Sequence, residues 1–281
     1  MKNKMIDSEQ LIQFQRRLEE EERSGATVEK YLRGVEQFAA FLEGGAVTKA
    51  AAARWKERLL AEGQSPATVN GKLTALDRFL AFAGWEDCRV RHLKVQRRLF
   101  RESSRELTRE EYGRLVGAAR AAGKERLELL LESVCATGVR VSEVKYLTVE
   151  AARRGKAEIS LKGKIRTILL PGKLCRKLLQ YAQKQKTASG AIFRTKSGKE
   201  LGRRQIWAEL KALCKHAGVE PSKVFPHNLR HLFAMVFYRT SRDIVKLADL
   251  LGHSSIETTR IYLVTSGAEH QRTLDRLGLI S

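Results

Sequence analysis

The chain has 281 residues, enough for two domains that each bury a core, and 53 Lys and Arg against 32 Asp and Glu give it a formal charge of +21. Such an excess opposes compaction unless a polyanion offsets it, so nucleic acid is the first candidate partner. No run of about 18 apolar residues occurs and the start, MKNKMIDSEQ, has no apolar signal core, which argues against a membrane-spanning or secreted protein and predicts a cytoplasmic, nucleoid-associated one.

The charge is uneven. Residues 1 to 98 hold 18 basic and 14 acidic side chains, whereas residues 99 to 281 hold 35 and 18, so most phosphate contacts are expected in the second part. Cys88, Cys135, Cys175 and Cys214 lie far apart with no C-x-x-C pair and are expected to be free, buried thiols.

In chain order, the first 85 or so residues predict four helices, with apolar positions three and four apart: Leu11, Phe14, Leu18, then Tyr31, Val35, Phe38, Phe41. SGATVEKYLRGVEQFAAFL (24 to 42) echoes SPATVNGKLTALDRFLAFA (65 to 83), each opening on a Ser or Thr able to cap a helix. Two copies are too few for a solenoid. Between Arg89 and Arg105 the basic residues Arg89, Arg91, Lys94, Arg97, Arg98, Arg101 and Arg105 face a single acid, Glu102, over poor apolar periodicity. This stretch predicts an interdomain linker suited to crossing a duplex backbone. The predicted division is therefore a helical domain over 1–88, a linker over 89–106 and a second domain over 107–281.

Helical patterns resume at LTREEYGRLV, where Thr108 and Glu111 fit a capping box. Residues 157 to 171, AEISLKGKIRTILLP, break the pattern: Ile159 and Leu161, then Ile168 and Leu170, alternate about Lys162-Gly163-Lys164, which predicts a hairpin with the lysines at its tip. Helices are then expected through Arg276. The fold class is mainly α, a small helical N-terminal domain followed by a mostly helical one with a small antiparallel β-sheet.

Cleaving a phosphodiester without a metal requires cations on the non-bridging oxygens, an in-line nucleophile, and groups that take and give protons. CATGVRVSEVKYL places Arg140 after a Thr-Gly turn signal with Glu143 three residues on, a spacing that by itself more often marks a surface ion pair. FPHNLRHLFA places His227 and Arg230 on one face of a helix started by Pro226; Leu229, Phe233 and Val236 mark its apolar face, so the His and Arg sit beside the core. In LADLLGHSSIETTRIYL, Gly252 ends one helix, Ser254 or Ser255 starts another, His253 occupies the elbow and Tyr262 follows nine residues later. Each His or Tyr alone reads most simply as a cap or a packed ring. The ordered series is what chance does not readily give.

That series, Arg140, Lys162, His227 with Arg230, His253 and Tyr262, resembles the catalytic residues of the tyrosine recombinase (phage integrase) family, and the resemblance covers nearly the whole chain. ATGVRVSEVKYL is similar to the family's first-arginine box, HNLRHLFA to its His-x-x-Arg box and LLGHSSIETTRIYL to the box that ends in the nucleophile. SGATVEKYL and SPATVNGKL resemble its core-site-binding helices. Where the family often has Gly-Lys-Gly this chain has Leu161-Lys162-Gly163; Lys162 is the aligned residue and Lys164 stays open as the alternative.

The resemblance implies a site-specific DNA recombinase. Arg140 and Arg230 would clamp the scissile phosphate, which suits guanidinium forks. Tyr262 would attack to give a 3′-phosphotyrosine, Lys162 would protonate the leaving 5′ oxygen, and His227 would serve as base. His253 would hydrogen-bond the phosphate, Glu143 would orient the site, and Arg97, Arg98, Arg101 and Lys164 would contact DNA. No metal, ATP or other cofactor is implied, since the tyrosyl ester conserves the bond energy. The implied partners are double-stranded DNA and three further subunits, as a homo-tetramer or a hetero-tetramer with a related recombinase on paired sites. The C-terminal AEHQRTLDRLGLI, with Leu274, Leu277 and Ile280 at a spacing of three, would dock on a neighbour, with packing on its own catalytic domain as the alternative.

Two other readings compete with this one. A type IB topoisomerase uses similar chemistry without strand exchange, and a DNA-binding regulator derived from a recombinase would be expected to have lost one of the named residues. With a first helix expected within about ten residues of Met1, the chain resembles the simpler, Xer-like recombinases rather than those with an added arm-binding domain. Integration, excision, inversion and dimer resolution all remain open as the biological task.

Overall fold

In the computed structural model, which describes residues 4–94, 105–161, 164–195, 197–253, 255–260, 262 and 275–276, the chain divides into two units, Met1–Arg97 and Arg98–Ser281. Arg97, Arg98, Arg101, Lys162, Leu274, Leu277 and Ile280 lie outside the described residues, as does the side chain of Lys164.

The first unit holds the four expected helices, α1 (Ser8–Glu20), α2 (Gly25–Leu42), α3 (Lys49–Ala61) and α4 (Pro66–Phe82), closed by a short 3-10 turn, Glu86–Cys88. The two echoing segments become α2 and α4, which pack on each other closely enough that a Cβ on Gly34 would stand 2.9 Å from the Cβ of Ala75. Their opening serines differ in detail: Ser65 accepts from the Thr68 amide at 3.3 Å, whereas Ser24 pairs with the Thr27 hydroxyl at 2.9 Å. Phe38, Trp55, Leu73 and Leu76 fill one core, and Phe14, Val35 and Phe79 a second.

The second unit runs α5 (Arg109–Ala121), α6 (Glu125–Thr137), a 3-10 turn (Val141–Tyr146), α7 (Val149–Arg154), β1 (Lys156–Leu161), β2 (Lys164–Leu169), α8 (Gly172–Lys184), α9 (Arg203–Ala217), α10 (Pro226–Ser241), α11 (Ile244–Leu251) and α12 (Ile256–Arg260). The Thr108 capping box forms, with the Thr108 hydroxyl accepting from the Glu111 amide at 3.1 Å and the Glu111 carboxylate from the Thr108 amide at 2.8 Å. Leu115, Leu130, Leu131, Leu178 and Leu213 are fully buried in the core that the helices share. Among the described residues the architecture is thus mainly α with one two-stranded antiparallel sheet.

Three details depart from expectation. In the β1–β2 register Leu161 pairs with Lys164, so only Lys162 and Gly163 connect the strands and Lys164 begins β2 rather than standing at the tip. Isolated bridges join Thr148 to Ala191 and Arg194 to Glu200 within a stretch expected to be helical. Val236 is 40% exposed instead of continuing the stripe of Leu229 and Phe233, because the apolar side of late α10 turns toward α11, where Phe237 and Tyr238 pack near Leu247 and Leu251. Cys88, Cys175 and Cys214 are buried and free, while Cys135 is only half-buried. No helix among the described residues is long and apolar enough to cross a membrane.

Phe79 is wholly buried, with its ring edge-on to Phe14 at 5.3 Å and 89° and close to Phe82 and Trp85. Truncating so large a side chain leaves a cavity its ring-packed neighbours fill poorly. Phe79→Ala should therefore lower stability by about 3 to 5 kcal/mol in urea unfolding with the denaturant slope preserved, and a loss below about 1 kcal/mol would contradict this packing.

Candidate active site

The site is assembled around two helix ends. α6 stops at Gly138, whose φ of +63° and a virtual Cβ 2.5 Å from the Phe233 ring leave room for glycine alone. The chain then turns out so that Arg140 caps the following 3-10 turn. Arg140 and Glu143 are therefore a capping pair and not neighbours on a regular α-helical face. The Glu143 carboxylate accepts from the Arg140 amide at 2.9 Å and from its Nη1 at 2.8 Å. α11 stops at Gly252, φ +61°, which leaves the Leu251 and Gly252 carbonyls without intrahelical donors.

Guanidinium groups fill those vacancies. Arg230, only 2% exposed rather than at the edge of the core, donates to the Gly138 carbonyl and, at 2.7 Å, to that of Leu251. Arg140 reaches the Gly252 carbonyl at 3.4 Å. Arg166, on β2, donates to the same Leu251 carbonyl and, at 2.9 Å, to the second oxygen of Glu143. Buried Glu143 thus bridges the guanidinium groups of Arg140 and Arg166 with one oxygen each. A carboxylate so deep needs pairing of this kind.

Burial, then the charge of Arg140, pushes the Arg230 pKa down to about 10, with the Tyr262 hydroxyl acting in the opposite sense. It stays protonated at neutral pH. His253 lies in the elbow after α11, where Nε2 is 3.0 Å from Arg230 Nη2 and Nδ1 is 2.8 Å from the hydroxyl of fully buried Thr259. Burial first, then Arg230, Arg140 and Arg166, pushes its pKa down to about 4, so the ring is neutral at pH 7.

Tyr262 is buried at 5% exposure beside Ala234, Leu247 and Leu251. Its ring meets three imidazoles: His227 at 5.6 Å, His231 at 5.5 Å and, nearly parallel at 10°, His253 at 5.7 Å. His227 is solvent-exposed in the first turn of α10, whereas His231 is buried.

The structure therefore brings Arg140, Glu143, His227, Arg230, His253 and Tyr262 together. Sequence reasoning missed Arg166, His231 and Thr259. Two of them carried a signal: His231 stands four residues after His227 on the same helical face, and Arg166 falls in phase with the inward positions Ile168 and Leu170, where a charge is out of place.

The chain matches two family models, the phage integrase family over residues 105–268 and the phage integrase N-terminal SAM-like domain over 11–87. It is 31% identical over 289 residues to tyrosine recombinase XerA of Pyrococcus furiosus, covering 100% of this chain and 98% of the relative. It is also 31% identical over 268 residues to tyrosine recombinase XerD of Brucella suis, covering 84% of this chain and 85% of that one. Its fold is similar to XerH site-specific recombinase bound to palindromic difH substrate in a post-cleavage complex (TM-score 0.72, 17% identity, 98% of this chain and 90% of that one). It is likewise similar to a lambda integrase dimer bound to a COC′ core site (TM-score 0.73, 17% identity, 92% and 95%). With both halves matched in order and the XerA relative aligned end to end, the chain belongs to the phage integrase family and is a tyrosine-type site-specific recombinase.

Proposed function

We propose that the chain cuts and rejoins double-stranded DNA by attack of the Tyr262 hydroxyl on a phosphodiester. The P–O bond to Tyr262 forms as the P–O5′ bond breaks, leaving a 3′-phosphotyrosine and a free 5′-hydroxyl. His227 takes the phenolic proton, and Lys162, or Lys164 two residues on, protonates the leaving oxygen. Arg140 and Arg230 hold the non-bridging oxygens. Reversal with a different 5′-hydroxyl joins the exchanged strand. The cationic work falls to side chains, so the reading takes no metal and no nucleotide cofactor. The observation that carries it is the setting of Tyr262, a phenol packed beside the Arg230 guanidinium with a solvent-exposed imidazole against its ring.

The same reading assigns residues 1–88 to core-site binding, 89–106 to a basic linker and 107–281 to catalysis. Active complexes would be tetramers on paired sites, of this chain alone or with a related recombinase, joined through the C-terminal segment. The XerH and lambda integrase neighbours bound to DNA and the formal charge of +21 support a duplex partner.

His253 adds a constraint on proton placement. Arg230 can only donate, so His253 Nε2 must accept; the ring proton is then on Nδ1 and the Thr259 hydroxyl accepts it. To donate to a phosphate oxygen, His253 has to carry its proton on Nε2, and the Thr259 hydroxyl, which can serve either way, then donates to Nδ1.

Covalent trapping in cells, followed by base-resolution mapping of the trapped DNA, tests the reading and supplies the site. Tyr262→Phe should bind a duplex carrying that site with affinity unchanged within about threefold yet form no adduct on a denaturing gel. An adduct that persists would move the nucleophile, with Tyr238 next to test. Ring ¹⁵N NMR should show His253 as the neutral Nδ1–H form at pH 7, taking up a proton only near pH 4. Thr259→Val leaves Arg230 donating to Nε2 and should keep the Nδ1–H form, and titration of His253 near the ordinary histidine value would contradict the geometry. Non-specific DNA binding should weaken steeply with salt, and replacing Arg97, Arg98 and Arg101 by Ala should flatten that slope by up to about three units. An unchanged slope would place the linker away from DNA.

A further inference from the structure

We propose that Arg166 is a positioning residue for the phosphate clamp: by taking one oxygen of Glu143, it keeps the Arg140 guanidinium from closing on that carboxylate. The inference rests on the phosphotyrosine reading and adds to it a residue that touches neither the nucleophile nor, on this account, the DNA.

The placement begins with the strand. β2 pairs Arg166 with Ile159 and aligns it with Ile168, both buried, so the pleat sends a guanidinium into the interior. It continues to the end of α11, where Gly252 allows it past: a Cβ there would lie 2.5 Å from Arg166 Cδ and Nη1. Its side chain is 14% exposed, and burial, partly offset by Glu143, holds its pKa down. Its buried Nε has no hydrogen-bond partner among the described residues. A buried guanidinium with an unfilled donor is costly. As a structural plug at this position, an aliphatic side chain would avoid that cost.

The use of the charge lies in how Glu143 is divided. Arg140, whose side chain is 38% exposed, is the guanidinium with an accessible edge, and it spends one nitrogen on Glu143 and another on a long bond to the Gly252 carbonyl. Glu143 offers Oε1 to Arg140 Nη1, while Oε2 accepts from Arg166 Nη2 and from the Arg140 amide. Without Arg166 the second oxygen keeps its bond from the Arg140 amide but has a lone pair open to the Arg140 guanidinium, and the bidentate fork that guanidinium and carboxylate favour would turn the clamp inward and neutralise it. With Arg166 present, Arg140, Arg166 and Arg230 outweigh the single carboxylate, and the exposed edge of Arg140 remains for an anion.

The test compares wild type, Arg166→Met and Arg166→Lys for the rate of covalent adduct on the mapped duplex, with three versions of the scissile linkage: phosphate, neutral methylphosphonate and 5′-bridging phosphorothiolate. On phosphate, Arg166→Met should be at least about tenfold slow with DNA affinity within about twofold of wild type, and Arg166→Lys should fall between. The methylphosphonate, which carries no charge to clamp, should bring Arg166→Met to within about threefold of wild type. The phosphorothiolate, whose sulfur leaves without a proton, should not. A wild-type rate on phosphate, a rescue by the phosphorothiolate, or a defect that neither linkage relieves would overturn the assignment. If wild type itself forms no adduct on the mapped duplex, the phosphotyrosine reading fails instead. A melting temperature for Arg166→Met near that of wild type keeps a folding defect from standing in for the effect.

Discussion

The last carbonyls of α11 are the fixed point of the second unit. A helix C-terminus presents unpaired carbonyls and a partial negative charge. Here the Leu251 carbonyl accepts from Arg166 and Arg230, and the Gly252 carbonyl from Arg140. Like charges gathered this closely would separate if left to themselves. Carbonyl dipoles and buried Glu143 are what make their convergence stable, and the requirement extends to the glycines, since Gly138 and Gly252 both adopt positive φ where a side chain would strike a neighbour.

The same helix end fixes Tyr262, the nucleophile of the proposed reading. The elbow after Gly252 carries His253, and the short α12 that follows brings Thr259 back onto its ring and Tyr262 against it. Tyr262 also packs on Leu247 and Leu251 of α11 and on Ala234 of α10. The clustered arginines and the tyrosine therefore share one mechanical reference, so a change in where α11 ends would move both together. Effective concentration of reacting groups depends on such shared positioning.

Much of this was legible in the sequence. The helices were, because amphipathic spacing and caps such as Thr108 with Glu111 are local signals that tertiary packing did not override. The candidate site residues Arg140, Arg230, His253 and Tyr262 stood out through their order along the chain. What the sequence withheld was set by contacts distant in the chain. Arg166 joins Glu143 and Leu251 across 23 and 85 residues, and its inward phase was readable only once β2 was paired with β1. Val236 was misplaced for a related reason: the α10 stripe rotates toward α11, a partner that periodicity within α10 cannot reveal.

The unequal depth of the arginines suggests how the labour divides between them on the proposed reading. Arg230 is nearly fully buried and tied to carbonyls at the ends of both α6 and α11, so releasing it would strand acceptors in the interior. Each such loss costs roughly 1 to 3 kcal/mol, more when a charge is involved. Arg140 gives up less. Its bond to Gly252 is already long at 3.4 Å, and its outer edge is open to water, so it can exchange that carbonyl for a phosphate oxygen at little cost. An anion is then gripped by one arm that moves and met by a second already in place, whose position depends on packing rather than on the anion. A clamp built this way loses little order on binding, which is the condition for spending interaction energy on the transition state instead of on assembling the site.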